Sequence, residues 1–415
     1  MALLLYNISI RLYGLGIRVA SPFNPKARLF IDGRRKLFEG LSSALKDNQR
    51  PVAWFHTASL GEFEQGKPVI EAFRALYPDH FILVTFFSPS GYEPRKNYEE
   101  ADHVSYLPLD TPDNARKFID IVQPDFVGFI KYEFWYHYLK QAHKSGAQLY
   151  SISARFTPDQ VYFKGHGGLY RKILSWFNHI FVQNTESLDL MKQIGIEATS
   201  ISGDTRFDRV TATLAKPTPY PLVERFQADS KVMVIGSSWA SDMEYLYPIV
   251  NRKDIDLKFI IAPHLVDEAH VKALEKGLQV PSVRIAEADE QNVKDAKVLI
   301  INTIGMLSSI YQYGHLAYIG GAFGSGLHNI LEAVTFGLPV LFGNKGLHKF
   351  PEATDLMDQG GAFAFNTQEA LNEHLDYLND PKHREFASQA CKAFIAAQVG
   401  ATQKIMNVIE AEYGG

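Results

Sequence analysis

Cysteine is nearly absent: among 415 residues there is one, Cys391. No intrachain disulfide can form, and no Cys/His cluster has the spacing of a zinc site. Both absences fit a reducing compartment. Repeats and low-complexity tracts are also missing. No charge of one sign dominates, since the formal net charge is −4, and nothing in that balance calls for a nucleic-acid partner. The opening apolar run, MALLLYNISIRLYGLGIRVA, is not free of charge, because Arg11 and Arg18 lie inside it. A secretory signal would place its basic residues ahead of the run and end in a small-residue cleavage site. Two internal arginines also argue against a simple spanning helix.

The charge that is present is unevenly spread. Residues 1–50 carry nine Lys/Arg against three Asp/Glu, a balance of +6, so the remainder sums to −10. At 3.6 residues per turn, Asn7, Arg11, Gly14 and Arg18 share one stripe of a helix, and Leu4, Leu5, Ile8, Leu12, Leu15 and Val19 cover the rest. That pattern describes a helix lying in the headgroup plane of a membrane, with Arg28, Arg34, Arg35 and Lys36 nearby for anionic lipid. An ordinary helix packed on its own domain is the alternative.

From residue 52 apolar strand candidates alternate with helical patterns, as in a parallel sheet covered on both faces. The first half offers strands at 52–56, 81–87, 126–130, 148–152 and 179–182, and the second at 232–235, 258–261, 298–301, 317–319 and 339–342. Helices are expected between them, for example at 68–76, 114–122, 266–276 and 329–336, with two more at 368–378 and 383–413. Three prolines within six residues break the pattern in 211–229 and mark a linker. The expected organisation is an N-terminal helix to residue 25, a Rossmann-like domain over 26–210 and the linker. A second Rossmann-like domain over 230–395 and a C-terminal helix over 396–415 follow. Two doubly wound domains of this kind bind ligands at the strand C-termini, facing a cleft.

Four segments could carry chemistry. HTASLGEFEQGKP, residues 56–68, follows the first strand; its carboxylate Glu62 is the candidate base, or else a solvated or helix-capping residue. It contains no G-x-G-x-x-G fingerprint. IGGAFGSGLHNILEAVTFGLPVLFG, residues 319–343, is the strongest signal. A strand ends in two glycines, a flexible turn through Gly324 and Gly326 follows, and a helix is expected near His328 and Asn329. Backbone N–H groups in such a turn can cradle phosphate, and Glu332 could accept from sugar hydroxyls. In GSSWASDMEYLYP, residues 236–248, Ser237 and Ser238 offer donors to phosphate or sugar oxygens, with Asp242 or Glu244 at the helix start. In APHLVDEAH, residues 262–270, His264 stands at a strand end. Glu133, Arg155 and Arg206 follow other strands of the first half; the arginines could meet acceptor phosphates.

Together these segments resemble the Kdo transferases, which transfer 3-deoxy-D-manno-octulosonic acid (Kdo) from CMP-Kdo to lipid A precursor. The resemblance is collinear from about residue 1 to 400. The H-x-x-S-x-G-E turn is matched by His56, Ser59, Gly61 and Glu62, E-x-W by Glu133-Phe134-Trp135, and A-R by Ala154-Arg155. Gly203, Arg206, Phe207 and Asp208 match G-x-x-K/R-F-D, and Gly236-Ser237-Ser238 match the G-S-T turn. Ala262-Pro263-His264 and the run from Gly326 to Glu332 are similar to the family's donor segments, with Leu327 in place of a glycine. Asn302-Thr303-Ile304-Gly305-Met306-Leu307 stands where the family commonly has D-T-x-G-E-L, and Ser153 where it has Asn.

The resemblance implies an α/β GT-B fold and an inverting, metal-independent transfer of Kdo to a lipid IVA-type acceptor, with no cofactor beyond the donor substrate. It makes Glu62 the general base, ionised at neutral pH with an ordinary pKa. Ser59, Gly61, Glu133, Arg155 and Arg206 would hold the acceptor. Ser237, Ser238, His264, Gly324, Gly326, His328, Asn329 and Glu332 would hold CMP-Kdo, with backbone donors from Thr303, Ile304 and Gly305. The expected location is the cytoplasmic face of the bacterial inner membrane, peripheral or monotopic. A nucleotide-sugar epimerase and a catalytically inactive nucleotide-sugar-binding scaffold are the alternative readings.

Overall fold

The computed structural model describes residues 2–414 except Tyr132, Ser325 and the side chain of Thr213. The chain forms two compact units: residues up to Arg209 together with those from Val399 onward, and Val210–Gln398.

The first unit holds a seven-stranded sheet: β1 (Val52–Thr57), β2 (Phe81–Phe86), β3 (His103–Tyr106), β4 (Phe126–Ile130), β5 (Gln148–Ala154), β6 (His179–Val182) and β7 (Thr199–Ile201). Their order is β3-β2-β1-β4-β5-β6-β7, and every pairing is parallel. All residues of β1 and β2 are buried, as they must be when helices cover both faces. Side-chain alternation then sorts the core. Trp54 packs with Phe118, Phe129 and Tyr138 on one face, while Phe55 meets Phe73, Phe126 and Tyr150 on the other. The helix Ala401–Tyr413 adds Ile405, Met406 and Ile409 to the second face.

The second unit repeats the plan with β8 (Val232–Ser238), β9 (Lys258–Pro263), β10 (Ser282–Arg284), β11 (Val298–Ile300), β12 (Leu316–Ile319), β13 (Val340–Gly343) and β14 (Ala362–Phe365). The order is β10-β11-β9-β8-β12-β13-β14, again all parallel. Strand order reverses between β1 and β4 in the first unit and between β8 and β12 in the second. Such switch points open a crevice at the strand C-termini, where open α/β sheets bind ligands.

The N-terminal helix, Ala2–Ala20, is long and apolar enough by length and composition to cross a membrane. Its inner stripe is packed on the first unit: Ile10 and Gly14 are buried, and Leu3 and Tyr6 touch the core. The docking is partly polar. Buried Asp110 accepts from Tyr6 Oη at 2.5 Å and from the backbone N–H of His137 and Tyr138 at 2.9 and 3.0 Å. Asn7 Oδ1 lies 2.6 Å from His137 Nε2. Leu4, Leu5, Ile8, Leu12, Leu15 and Val19 point outward and are exposed. The stripe expected to carry Asn7, Arg11, Gly14 and Arg18 is split, because Asn7 and Gly14 face the protein while Arg11 and Arg18 stay exposed.

Other expectations need correction. The helix expected over 383–413 is two, Pro381–Gln398 and Ala401–Tyr413. Gly400 takes φ +100° and breaks it, and Asp208 caps the restart by accepting from the N–H groups of Gly400 and Thr402, both at 2.6 Å. The stretch 211–229 is no bare linker, since helices Thr205–Ala215 and Pro221–Gln227 occupy most of it. Pro221 sits at the first turn, where its missing N–H costs nothing. The non-helical remainder is pinned by Thr218 N to Ser309 Oγ (3.2 Å) and Tyr220 N to Tyr313 Oη (2.7 Å).

Candidate active site

At the β1/β4 switch, Glu62 is not in a loop. The helix Leu60–Leu76 starts almost directly after β1, with Ser59 as its N-cap and Glu62 as its third residue. Glu62 Oε2 accepts from the N–H groups of Ala58 and Ser59 at 2.5 and 3.2 Å, which is half of a capping box. Oε1 makes no hydrogen bond to a described residue. The side chain is only 8% exposed. Burial pushes its pKa above the ordinary value, against the pull of the Ala58 N–H, the Lys131 charge and the Ser59 N–H. The expected ordinary pKa is therefore corrected upward. Gly61 has open space where a Cβ would stand.

Glu133 follows β4, two residues after Lys131, which takes φ +63°. Burial first, and then the charge of Glu62, push Glu133 up to about 7. Its Oε2 is buried without a partner among the described residues, and so is Nε of Arg155 after β5. Arg206, expected to meet an acceptor phosphate, is engaged at home: its Nε and Nη2 reach Asp204 Oδ2 at 2.8 and 2.7 Å. A carboxylate two residues away competes for that guanidinium.

Gln65 escaped the sequence reading. It is fully buried, and its Nε2 donates to Ser153 Oγ (2.9 Å) and Asp204 Oδ1 (2.8 Å), while its Oε1 has no partner among the described residues. The signal was available: Gln65 is three residues beyond Glu62, hence on the same helix face. Ser153 takes φ +56° where β5 shifts register against β6, a left-handed conformation that Asn accepts more readily than Ser. His56 is no base. Trp135 Nε1 donates to its Nε2 at 3.1 Å, Nδ1 lies 2.9 Å from Thr85 Oγ1, and burial lowers its pKa to about 3.

The β8/β12 switch gathers the second set. Ser237 takes φ +53°, and Ser238 Oγ is buried without a partner among the described residues. Asp242, 0% exposed, ties the two turns together. Its Oδ2 accepts from Trp239 N (2.8 Å) and Gly321 N (3.0 Å), and its Oδ1 from Tyr318 Oη (2.8 Å). His264 and His328 lie side by side, rings stacked 4.6 Å apart at 24°, and Trp239 stacks on His264 at 4.3 Å. The sequence pattern alone assigns Trp239 no role.

The glycine turn differs from the expected cradle. The N–H groups of Gly324, Gly326 and His328 are already spent on the carbonyls of Gly321, Gly321 and Gly320, at 3.0, 2.9 and 3.2 Å. The helix that follows is only Leu331–Val334, starting after His328 and Asn329. Four residues sum to a small dipole, so the anion-binding argument from a helix terminus does not hold. Asn329 caps that turn by accepting from Leu331 N at 3.1 Å, and its Nδ2 reaches Glu332 Oε1 at 3.4 Å. Thr303, Ile304 and Gly305 form a turn after β11, two strands from β8; Ile304 is 89% exposed and Gly305 takes φ +94°. The helix after that turn returns to Gly236, where a Cβ would collide with Tyr311 Oη and meet Leu307 Cδ1 at 3.4 Å.

Residues 34–209 match the family described as 3-deoxy-D-manno-octulosonic-acid transferase (kdotransferase). The 3-deoxy-D-manno-octulosonic acid transferase of Chlamydia trachomatis serovar D is 23% identical over 394 residues, covering 92% of this chain and 90% of the relative. The enzyme of the same name from Aquifex aeolicus is 26% identical over 324 residues, covering 76% and 82%. Among solved structures, the UDP-GlcNAc 2-epimerase of Neisseria meningitidis bound to UDP-GlcNAc superimposes with a TM-score of 0.62. It is 15% identical and covers 87% of this chain and 100% of that one. At that identity the likeness shows the fold alone, which is GT-B with two Rossmann-like domains. Over its first unit the chain matches the Kdo transferase family model, along both units it is similar to enzymes of that name, and these likenesses mark it as a glycosyltransferase.

Proposed function

We propose that the chain transfers Kdo from CMP-Kdo to a glucosamine hydroxyl of a lipid A precursor, with inversion and without a metal. The observation that carries this reading is the carboxylate pair at the β1/β4 switch. Glu133, pushed up to about 7, holds a proton near neutrality and leaves the negative charge to Glu62. Glu62 Oε1 can then accept the proton of an incoming hydroxyl while Oε2 stays fixed by the helix start. As that hydroxyl oxygen bonds to the anomeric carbon of Kdo, the carbon–oxygen bond to CMP breaks and CMP leaves with the electron pair.

Groups at the β8/β12 switch supply donors for the departing phosphate: the unpartnered Ser238 Oγ and the rings of His264 and His328. In the first unit Arg155, with its buried unpartnered Nε, is the candidate for acceptor phosphate. The outward apolar face of the N-terminal helix supports a peripheral position on the cytoplasmic face of the inner membrane.

Mass spectrometry of the product made from CMP-Kdo and a tetraacylated lipid A precursor tests the reading. The expected product is heavier by one or more Kdo units, with CMP released and turnover unaffected by chelator. An epimerase would instead convert the donor with no acceptor present, which NMR of the donor alone detects.

A further inference from the structure

In the second unit one hydrogen bond decides how a histidine presents itself. Trp239 Nε1 lies 3.0 Å from His328 Nε2. An indole nitrogen only donates, so His328 Nε2 must carry the lone pair. The remaining proton of a neutral imidazole then sits on Nδ1, which has no hydrogen-bond partner among the described residues. The ring has little freedom to turn. Its plane is within 9° of the Trp239 plane, and His264 stacks against both rings at 4.3 and 4.6 Å. Gly321, at φ +96°, leaves room for it, since a Cβ there would lie 2.8 Å from His328 Cδ2.

We propose that Trp239 is a positioning residue that fixes His328 in its Nδ1–H tautomer, making that N–H the donor offered to an anionic oxygen of the nucleotide-activated sugar. The proposal deepens the donor-binding reading of the second unit and rests on it. Protonating Nε2 would set an N–H against the indole N–H, so Trp239 also resists formation of the imidazolium. The titratable groups facing the ring are His264, from the end of β9, and Asp242, from the helix Ala240–Val250. Burial and then His264 lower the His328 pKa, while Asp242 pulls it upward.

The test uses the full chain with CMP alone as the probe. Long-range 1H–15N spectra of histidine-labelled protein should show an unprotonated Nε2 at His328. Trp239→Phe keeps an aromatic ring for stacking but removes the N–H. It should shift His328 to a mixture of tautomers and weaken CMP binding about tenfold, as loss of one charge-assisted hydrogen bond does.

Two replacements of the histidine separate positioning from packing. In His328→Asn the side-chain amide nitrogen stands where Nδ1 stood, and in His328→Gln where Nε2 stood. The Asn variant should lose less CMP affinity than the Gln variant. An unchanged tautomer in Trp239→Phe, or a Gln variant that binds better than the Asn variant, overturns the proposal. Wild-type protein that binds no CMP would instead sink the donor-binding reading, and the tautomer spectra would still decide what Trp239 does to His328.

Discussion

Glu62 serves a helix with one oxygen and leaves the other for chemistry, which makes Glu62→Gln a clean probe. Gln also completes a capping box, so the fold should survive while kcat falls about 10²–10⁴-fold, the usual worth of a general base. Because burial raises the Glu62 pKa, the wild-type rate should rise with pH on the acid side. A Gln variant with near-wild-type turnover would remove Glu62 from the mechanism. Glu133 gives a stability prediction of definite sign. Its pKa is about 7 in the folded chain against 4.5 ordinarily. Between those values the native state keeps a proton that the unfolded state has released, so stability falls as pH rises through that window. Glu133→Gln should lose that part of the decline, giving a Tm advantage over wild type that grows from pH 4.5 to 7. A difference flat in pH would refute the coupling. Asp110, pushed by burial to about 6, contributes its own slope to both proteins and cancels. Glu62 and Glu133 were legible because each stands just past a strand. Gln65 and Trp239 were not, and Asp242 was legible only as a helix-start acid, since a side chain at the start of a helix reads as surface or cap until its partners across the sheet are known.

Elements show the same division between what patterning reveals and what it hides. The ten central strands announce themselves as apolar runs because both their faces are covered. The four strands that went unread, β3, β7, β10 and β14, are the four sheet edges. Each is three or four residues long, and an edge strand has one neighbour fewer to demand an apolar run. The N-terminal helix was readable as amphipathic, but not its orientation, because that depends on Asp110, some hundred positions away. Tyr6→Phe tests this attachment. It leaves buried Asp110 one donor short, at a cost of about 1–3 kcal/mol, and the loss should fall on the docking of the helix. Amide hydrogen exchange should accelerate across Ala2–Ala20 by about 5- to 150-fold, by that same conversion, with β1 unchanged. Equal acceleration in β1 would show that Tyr6 belongs to the global core rather than to a local latch.

Across the whole molecule, charge and apolar exposure are concentrated at one end of the sequence. The first 50 residues carry +6 on a chain of net charge −4. The same region exposes Leu4, Leu5, Leu12, Leu15 and Val19 by more than half, and Phe23 by 90%. A soluble surface gains nothing from such a row, whereas insertion into the acyl boundary returns about 1.5–3 kcal/mol for each large side chain fully buried. Each nearby Lys or Arg adds about 1 kcal/mol on an anionic surface, and salt screens that part only. The inner stripe is already committed to Asp110, His137 and the core. Crossing the bilayer would strip those contacts, so the helix should lie on the membrane with its outer face down. Cosedimentation with anionic vesicles should therefore weaken with salt yet not vanish. Arg11→Ala with Arg18→Ala should lower both the affinity and its salt dependence. Leu12→Glu with Leu15→Glu should abolish binding while leaving Tm unchanged, because both side chains are exposed. If the double Glu variant pellets with vesicles as wild type does, the outer face is not the membrane face.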